Sequence, residues 1–416
     1  MKLVATGKEL LVANRFGTSD SLDAYLIAFL LPSFLINVLG GPLAVSLVPA
    51  YVRARRSTGQ DAAQRLLGNS LVLAIGAFCA IALTLGLASP WLIPVLGSSF
   101  STEKQELTRR LFFLLLPALV LPAVNTTLGA LLNANEKFAV PALAPIVTPL
   151  LTSALLGVGR DRFGVTILVV GTLAGPVVET LVLGAAVRRL GVQPIPLWRG
   201  LDHETKTVFT AYGSFLLAAA LSSSSTVVDQ AFAASLGGGG VSILGYANKV
   251  PSVLLSVSAG LWTSALTFFS RAVSTGDLEG VRRTIRRYTV ITVAATIPVT
   301  IAFMFLSTPL VRLLFQRGAF SSEDTASVAL VQACYVAQLP LYVLGMLHQR
   351  LAVALSAQRA ILVGSVLNLV VNVVLDLVLM RFWGLAGIAL SSVAVCLASF
   401  LFLRAATERA LMARAS

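Results

Sequence analysis

Charged side chains set in long apolar runs are the residues of this sequence whose chemistry can matter: Lys8 and Glu9, Asp23, Glu179, Asp229, Lys249, His348, Arg350 and Asp376. A charge at membrane depth is costly, so each such group marks a ligand, an ion path or a partner unless it reaches an interface. Lys249 lies about eight residues into an apolar run, beside Asn248 and just ahead of Pro251, whose missing N–H and ring kink a helix and expose backbone groups. It is expected to face a water-filled cavity. Asp229 follows the polar patch Ser222-Ser-Ser-Ser-Thr226 and is expected to line the same space. Glu179 and Asp376 are candidates for ion or proton coupling, with a wet gap or snorkelling as the plainer alternatives. Asp23 and Arg350 are open to the same snorkelling reading. His348 is read as a helix-packing histidine.

This is the chemistry of reversible binding and charge compensation. GxGxxG, Walker A, HExxH and GxSxG are absent, and the run Gly237 to Gly240 has no Lys-Ser/Thr after it to cradle a phosphate. Cys79, Cys334 and Cys396 lie singly in apolar runs and read as small hydrophobes. The expectation is a protein that is no enzyme, holds no metal or cofactor, and draws on an ion gradient, the membrane potential or the gradient of its own substrate.

The elements that must position these groups are membrane helices. Hydrophobic residues make up 56% and charged residues 12% of the 416, with mean hydropathy +0.87. A soluble domain has about 25% charged residues. Runs near the roughly 20 residues needed to cross hydrocarbon recur along the chain. They predict spans near 1–15 (short), 21–51, 67–95, 108–133, 139–158, 164–188, 206–236, 242–270, 288–316, 325–355, 361–380 and 384–404. The net charge of +13 comes from basic residues in the short loops, without the aromatic interleaving of a nucleic-acid surface. Arg53, Arg55, Arg56, Arg188, Arg189, Arg282, Arg283, Arg286, Arg287 and the tail outweigh the opposite set, which includes Arg15, Lys104, Arg160, Arg162 and Arg317. By the positive-inside rule both termini are expected in the cytoplasm.

An internal repeat is also legible. Ala28 to Ser33 aligns with Ala247 to Ser252, Ser89-Pro90 with Thr308-Pro309, Glu136-Lys137 with Gln358-Arg359, and Phe163-Gly164 with Trp383-Gly384, all at nearly one offset. The reading is an all-α polytopic membrane protein of about 12 transmembrane helices in two pseudo-symmetric six-helix lobes around a central cavity. The first lobe is placed at residues 1–192, a cytoplasmic linker at 193–206, and the second lobe at 207–416.

Arg15-Phe-Gly17, Asp23 to Phe29, Leu31-Pro32 and Val48-Pro49 resemble the opening of the MurJ (MviN) lipid II flippase family. Val241 to Val250 and Leu314-Phe-Gln-Arg-Gly-Ala-Phe320 look like later signatures of that family. The resemblance runs from the first helix to about Ala394. It implies the two-lobe, alternating-access fold of the multidrug/oligosaccharidyl-lipid/polysaccharide exporter superfamily, in a bacterial inner membrane. The implied substrate is an undecaprenyl-pyrophosphate-linked saccharide, the peptidoglycan precursor lipid II first among them. On matching positions Lys8 and Glu9 replace an Arg-Asp pair, Asp23 is retained, and Lys249 stands where Arg is usual, next to Asn248 in place of an acid. Lys8 and Lys249 would attract the diphosphate, with Asp23 and Asp229 counterbalancing them. The chain departs from the family at Phe34 to Gly41, which carry no charge, and in lacking the usual two C-terminal helices. An exopolysaccharide lipid-linked oligosaccharide flippase, a cation-coupled drug exporter and a non-transporting scaffold remain as alternatives. The partners expected are membrane lipids and cell-wall or exopolysaccharide synthesis enzymes, with no nucleic acid.

Overall fold

A computed structural model describes residues 2–159 and 163–415; Arg160 and Arg162 of the orientation argument lie outside them. Every regular element described is helical. The first compact unit, Met1–Val227, holds α1 (Lys2–Phe16), α2 (Asp20–Ser57), α3 (Gln60–Leu96), α4 (Thr102–Leu115), α5 (Val120–Ala134), α6 (Ala139–Leu143), α7 (Val147–Val158), α8 (Thr166–Arg188) and the start of α9 (His203–Ser235). The second, Val228–Ser416, holds the rest of α9, α10 (Gly240–Ala247), α11 (Lys249–Leu261), α12 (Thr263–Ser274), α13 (Leu278–Phe305), α14 (Ser307–Phe315), α15 (Ser322–Val336), α16 (Leu339–Ala354) and α17 (Gln358–Ala415).

Among the described residues, nine stretches are long and apolar enough to cross a membrane. The other three expected spans follow from how the chain breaks. α1 is the short first span. The span expected near 242–270 is split into α10, α11 and α12 at Asn248 and Trp262. α17 is two helices joined at Gly384, where φ is 55° and ψ −131°. Ser391 Oγ donates to Asp376 Oδ1, and Asn368 Nδ2 lies 3.2 Å from Ser399 Oγ. In a straight helix, at about 1.5 Å per residue, residues 376 and 391 would stand about 22 Å apart, so the chain doubles back at Gly384.

That backbone conformation is open only to glycine, although a Cβ at Gly384 would meet no atom within 4 Å. The expected result for Gly384→Ala is therefore a loss of about 1–3 kcal/mol from backbone strain alone, read as a lower melting midpoint of the detergent-solubilised protein.

The repeat is written into the backbone. Among the described residues two non-glycine residues adopt positive φ, Glu136 at 60° and Ser356 at 59°, and they are 220 residues apart. Gly164, φ 46°, and Gly384, φ 55°, are separated by the same interval. The spans Thr102–Ala134 and Ser322–Ala354 are both 33 residues long, and each is preceded by a serine N-cap, Ser101 and Ser321, whose side chain accepts a backbone N–H. Such caps offset the unpaired amides of a helix start. The match is incomplete at α2, which runs unbroken through Pro32, Pro42 and Pro49 where α10 and α11 break.

Each unit has its own core. Leu66, Leu67, Leu131, Leu132 and Val187 are buried together in the first; Phe269, Val281, Leu347, Leu351 and Leu411 in the second. The polar stretch 193–206 is strapped along α3. Asn69 donates to Gly200 O at 2.8 Å and accepts from the Arg199 N–H at 2.8 Å. A Cβ on Gly68 would sit 2.7 Å from Leu197 O, so only glycine lets the strap lie so close. The start of α9 follows it, with the Tyr212 hydroxyl donating to Leu39 O at 3.2 Å. For that reason the division between compact units falls inside α9, at Val227/Val228, beyond the polar stretch itself.

Candidate substrate and coupling sites

In the first unit, Lys8 and Glu9 form an ion pair at 2.7 Å on α1, each side chain partly exposed. Tyr25 of α2 lies within electrostatic reach of both, and its hydroxyl is 2.7 Å from Thr172 Oγ1 on α8. Lys8 is thus a cation already matched by its neighbour. An incoming phosphate would compete with Glu9 for it.

Asp23 is fully buried, and Lys104 reaches it at 3.2 Å while also holding Asp20 at 2.6 Å. The ammonium sits 4.0 Å from the centre of the Phe100 ring, a cation–π contact that helps it tolerate burial. This clasp ties the start of α2 to α4. Lys104 was legible only as a loop cation, because nothing in its local sequence announces a partner 81 residues away.

Arg15, from the Arg-Phe-Gly stretch, donates to Leu156 O at 2.9 Å and to Gly159 O. These are carbonyls at the end of α7, which have no intrahelical donors. Its place is at a helix end.

Glu179 is half-buried on α8 and borders a cavity of about 290 Å³ with Asn125, Thr126 and Asn133 of α5. Pro176 inside α8 takes one N–H out of the ladder. Polar bonds gather there: Thr180 Oγ1 donates to Asn125 Oδ1 at 2.6 Å, and Asn125 Nδ2 to Pro176 O at 3.2 Å. Glu179 therefore faces a polar gap and is not buried in apolar packing.

In the second unit the helix break comes where Pro251 predicts it. Asn248 closes α10 and is exposed; Lys249 opens α11, partly buried, with Pro251 in that helix's first turn, where its missing N–H costs nothing. The result is a lysine at the positive end of a 13-residue helix.

A second cluster joins α9 to both arms of α17. Asn372 Nδ2 donates to Asp229 Oδ1 at 2.9 Å and to Asp376 Oδ2 at 3.3 Å, and Ser391 Oγ donates to the other oxygen of Asp376. Asp376, Asn372 and Ser391 are almost wholly buried. Asn372 Oδ1 is a buried acceptor with no hydrogen-bond partner. Buried Asp376, half-buried Asp229 and a spare amide oxygen form an acceptor-rich set that suits a proton or a small hard cation. Asp229, expected in the substrate cavity, and Asp376, expected to serve ion coupling, are thus brought together in one cluster. The residues that sequence reasoning missed are Asn372 and Ser391. The signal was there in Asn368, Asn372 and Asp376, which recur every four residues and so stripe one face of an apolar helix.

His348 is buried, with Nδ1 3.1 Å from Thr407 Oγ1 and its ring 5.6 Å from that of Phe400, which is the packing histidine expected.

The described helices define a polytopic membrane transporter of the two-lobe type. A solved multidrug resistance MATE family transporter of the MOP superfamily, in an inward-facing conformation, matches 98% of this chain and 94% of its own with a TM-score of 0.84 at 17% identity. A solved lipid II flippase MurJ in an inward closed conformation matches 99% of this chain and 87% of its own, TM-score 0.83, at 22% identity. The family model "Lipid II flippase MurJ" matches residues 12–415. The chain belongs to that family. Among its relatives, the probable lipid II flippase MurJ of Bdellovibrio bacteriovorus is 26% identical over 90% of this chain and 73% of its own length, and the lipid II flippase MurJ of Burkholderia cenocepacia is 26% identical over 80% and 67%.

Proposed function

We propose that this protein carries lipid II, an undecaprenyl-pyrophosphate-linked saccharide, across the bacterial inner membrane by alternating access, with both termini in the cytoplasm. Membership of the lipid II flippase family over residues 12–415 is the observation that supports it most strongly. Lys249 at the opening of α11 supplies a compact cation for the diphosphate, and Lys8 a second one that Glu9 balances between turnovers. Asp229 and Asp376 form the coupling site, since a buried and a half-buried carboxylate held by one amide call for a proton or a monovalent cation between them. Glu179 beside its polar gap is the corresponding group of the first unit. Synthesis enzymes that make or consume the lipid-linked saccharide are the expected partners.

Complementation of a strain depleted of its own lipid II flippase tests the substrate. Growth supports the reading; failure despite full membrane expression points to another lipid-linked glycan. The coupling site has its own test. Sodium chloride, compared with choline chloride at equal ionic strength, should stabilise the purified protein by about 1 kcal/mol, a value typical of a cation at several times its Kd. Asp376→Asn should abolish that difference. A sodium effect that persists in the variant sinks the assignment.

A further inference from the structure

One arginine-rich pocket lies apart from the groups used above, at the end of the second unit where α13 begins and α17 ends. It has a volume of about 470 Å³. α13 contributes Arg282, Arg286 and Val290, which share one helix face by their spacing of four; α17 contributes Phe400, Arg404 and Glu408 on the same principle. Glu408 accepts from Arg404 Nε at 2.9 Å. Among the described residues no carboxylate pairs with Arg282 or Arg286, so the pocket keeps a surplus of positive charge. Its depth is informative. α13 changes from Arg282, Arg283, Arg286 and Arg287 to an uncharged, mainly apolar stretch from Val290, and the second arm of α17 makes the opposite change between Leu403 and Arg404. Both helices pass from charged to apolar at the pocket, which is the level of a membrane interface.

We propose that this pocket binds the headgroup phosphate of an anionic phospholipid, which the three guanidinium groups grip while the acyl chains lie on the apolar wall continuing from Val290 and Phe400. Arginine suits the role because its planar fork meets a phosphate through two parallel N–H donors. Basic pockets between membrane helices are a recognised setting for such headgroups. A free phosphate would use the guanidinium groups and leave the apolar wall bare, which is why the lipid is the better occupant.

The test uses the full chain purified in detergent and counts bound lipid by native mass spectrometry, against micelles doped with dioleoyl phosphatidylglycerol or dioleoyl phosphatidylcholine. Phosphatidylglycerol should be retained preferentially. Arg286→Gln should weaken it about fivefold, the worth of one cation near a lipid surface, and the triple change Arg282→Gln/Arg286→Gln/Arg404→Gln much further. Arg283→Gln/Arg287→Gln, on the same helix but outside the pocket, should leave it unaltered. Equal retention of phosphatidylcholine, or an equal loss in the Arg283/Arg287 control, would overturn the proposal. So would displacement of phosphatidylglycerol by millimolar inorganic phosphate, or stoichiometric displacement by undecaprenyl pyrophosphate, which would assign the pocket to a free anion or to the transport route. All three arginines are exposed, so the variants are expected to melt as the parent does.

Discussion

Lys249→Ala should weaken binding of an undecaprenyl-pyrophosphate lipid by about ten- to hundredfold, the cost of one charge-assisted hydrogen bond of about 1.5–3 kcal/mol. Lys249→Arg should retain binding, because the fork reaches a diphosphate at least as well as an ammonium does. The residue opens α11, so truncation of its side chain leaves the backbone hydrogen bonds of the helix in place. The measurement is binding of the purified protein to lipid II in detergent, followed by translocation in proteoliposomes. If Lys249→Ala binds and flips the lipid as the parent does, the cation that meets the diphosphate is another one, with Lys8 next to be tested.

The second large effect is on stability. Lys104→Met should cost about 3–5 kcal/mol, as expected when one member of a buried ion pair is removed and the other stays behind. Asp23 is fully buried and Lys104 nearly so, and the ammonium also lies against the Phe100 ring. Exposed Asp20 should contribute little of this, since water screens it. Adding Asp23→Asn to Lys104→Met should restore a good part of the loss, because a neutral amide has far less need of a cation. A double-mutant cycle on melting midpoints checks it: additive losses would mean that the two side chains act independently and that the clasp is incidental.

The clasp also bears on function. Asp23 was expected to counterbalance the substrate-binding lysines, on the strength of its place in the family motif. In the structure Asp23 pairs with Lys104, tying α2 to α4. Arg15 follows the same pattern, its guanidinium closing the end of α7. Both motif residues sit where they shape the first unit. The second unit carries Lys249 at the start of α11 and the linked carboxylates of Asp229 on α9 and Asp376 on α17, so the two units differ in equipment while sharing a plan.

Much of that plan was readable from the sequence. Helix positions, the break before Pro251 and the 220-residue repeat all come from local properties: apolar runs long enough to cross a membrane, proline's missing donor, and glycine or turn residues at the points where φ becomes positive. Those signals are written in a few neighbouring residues, and lipid leaves the backbone no alternative to helix. Partnerships were a different matter. That Lys104 meets Asp23 and that Asn372 joins Asp229 to Asp376, like the meeting of three arginines from α13 and α17 at one level, depended on which helix faces pack together. Sequence supplied the charges and the helices bearing them. Only tertiary packing chose the pairs, because contacts between residues 81 or 143 positions apart are set by helix rotation and tilt and leave no local mark.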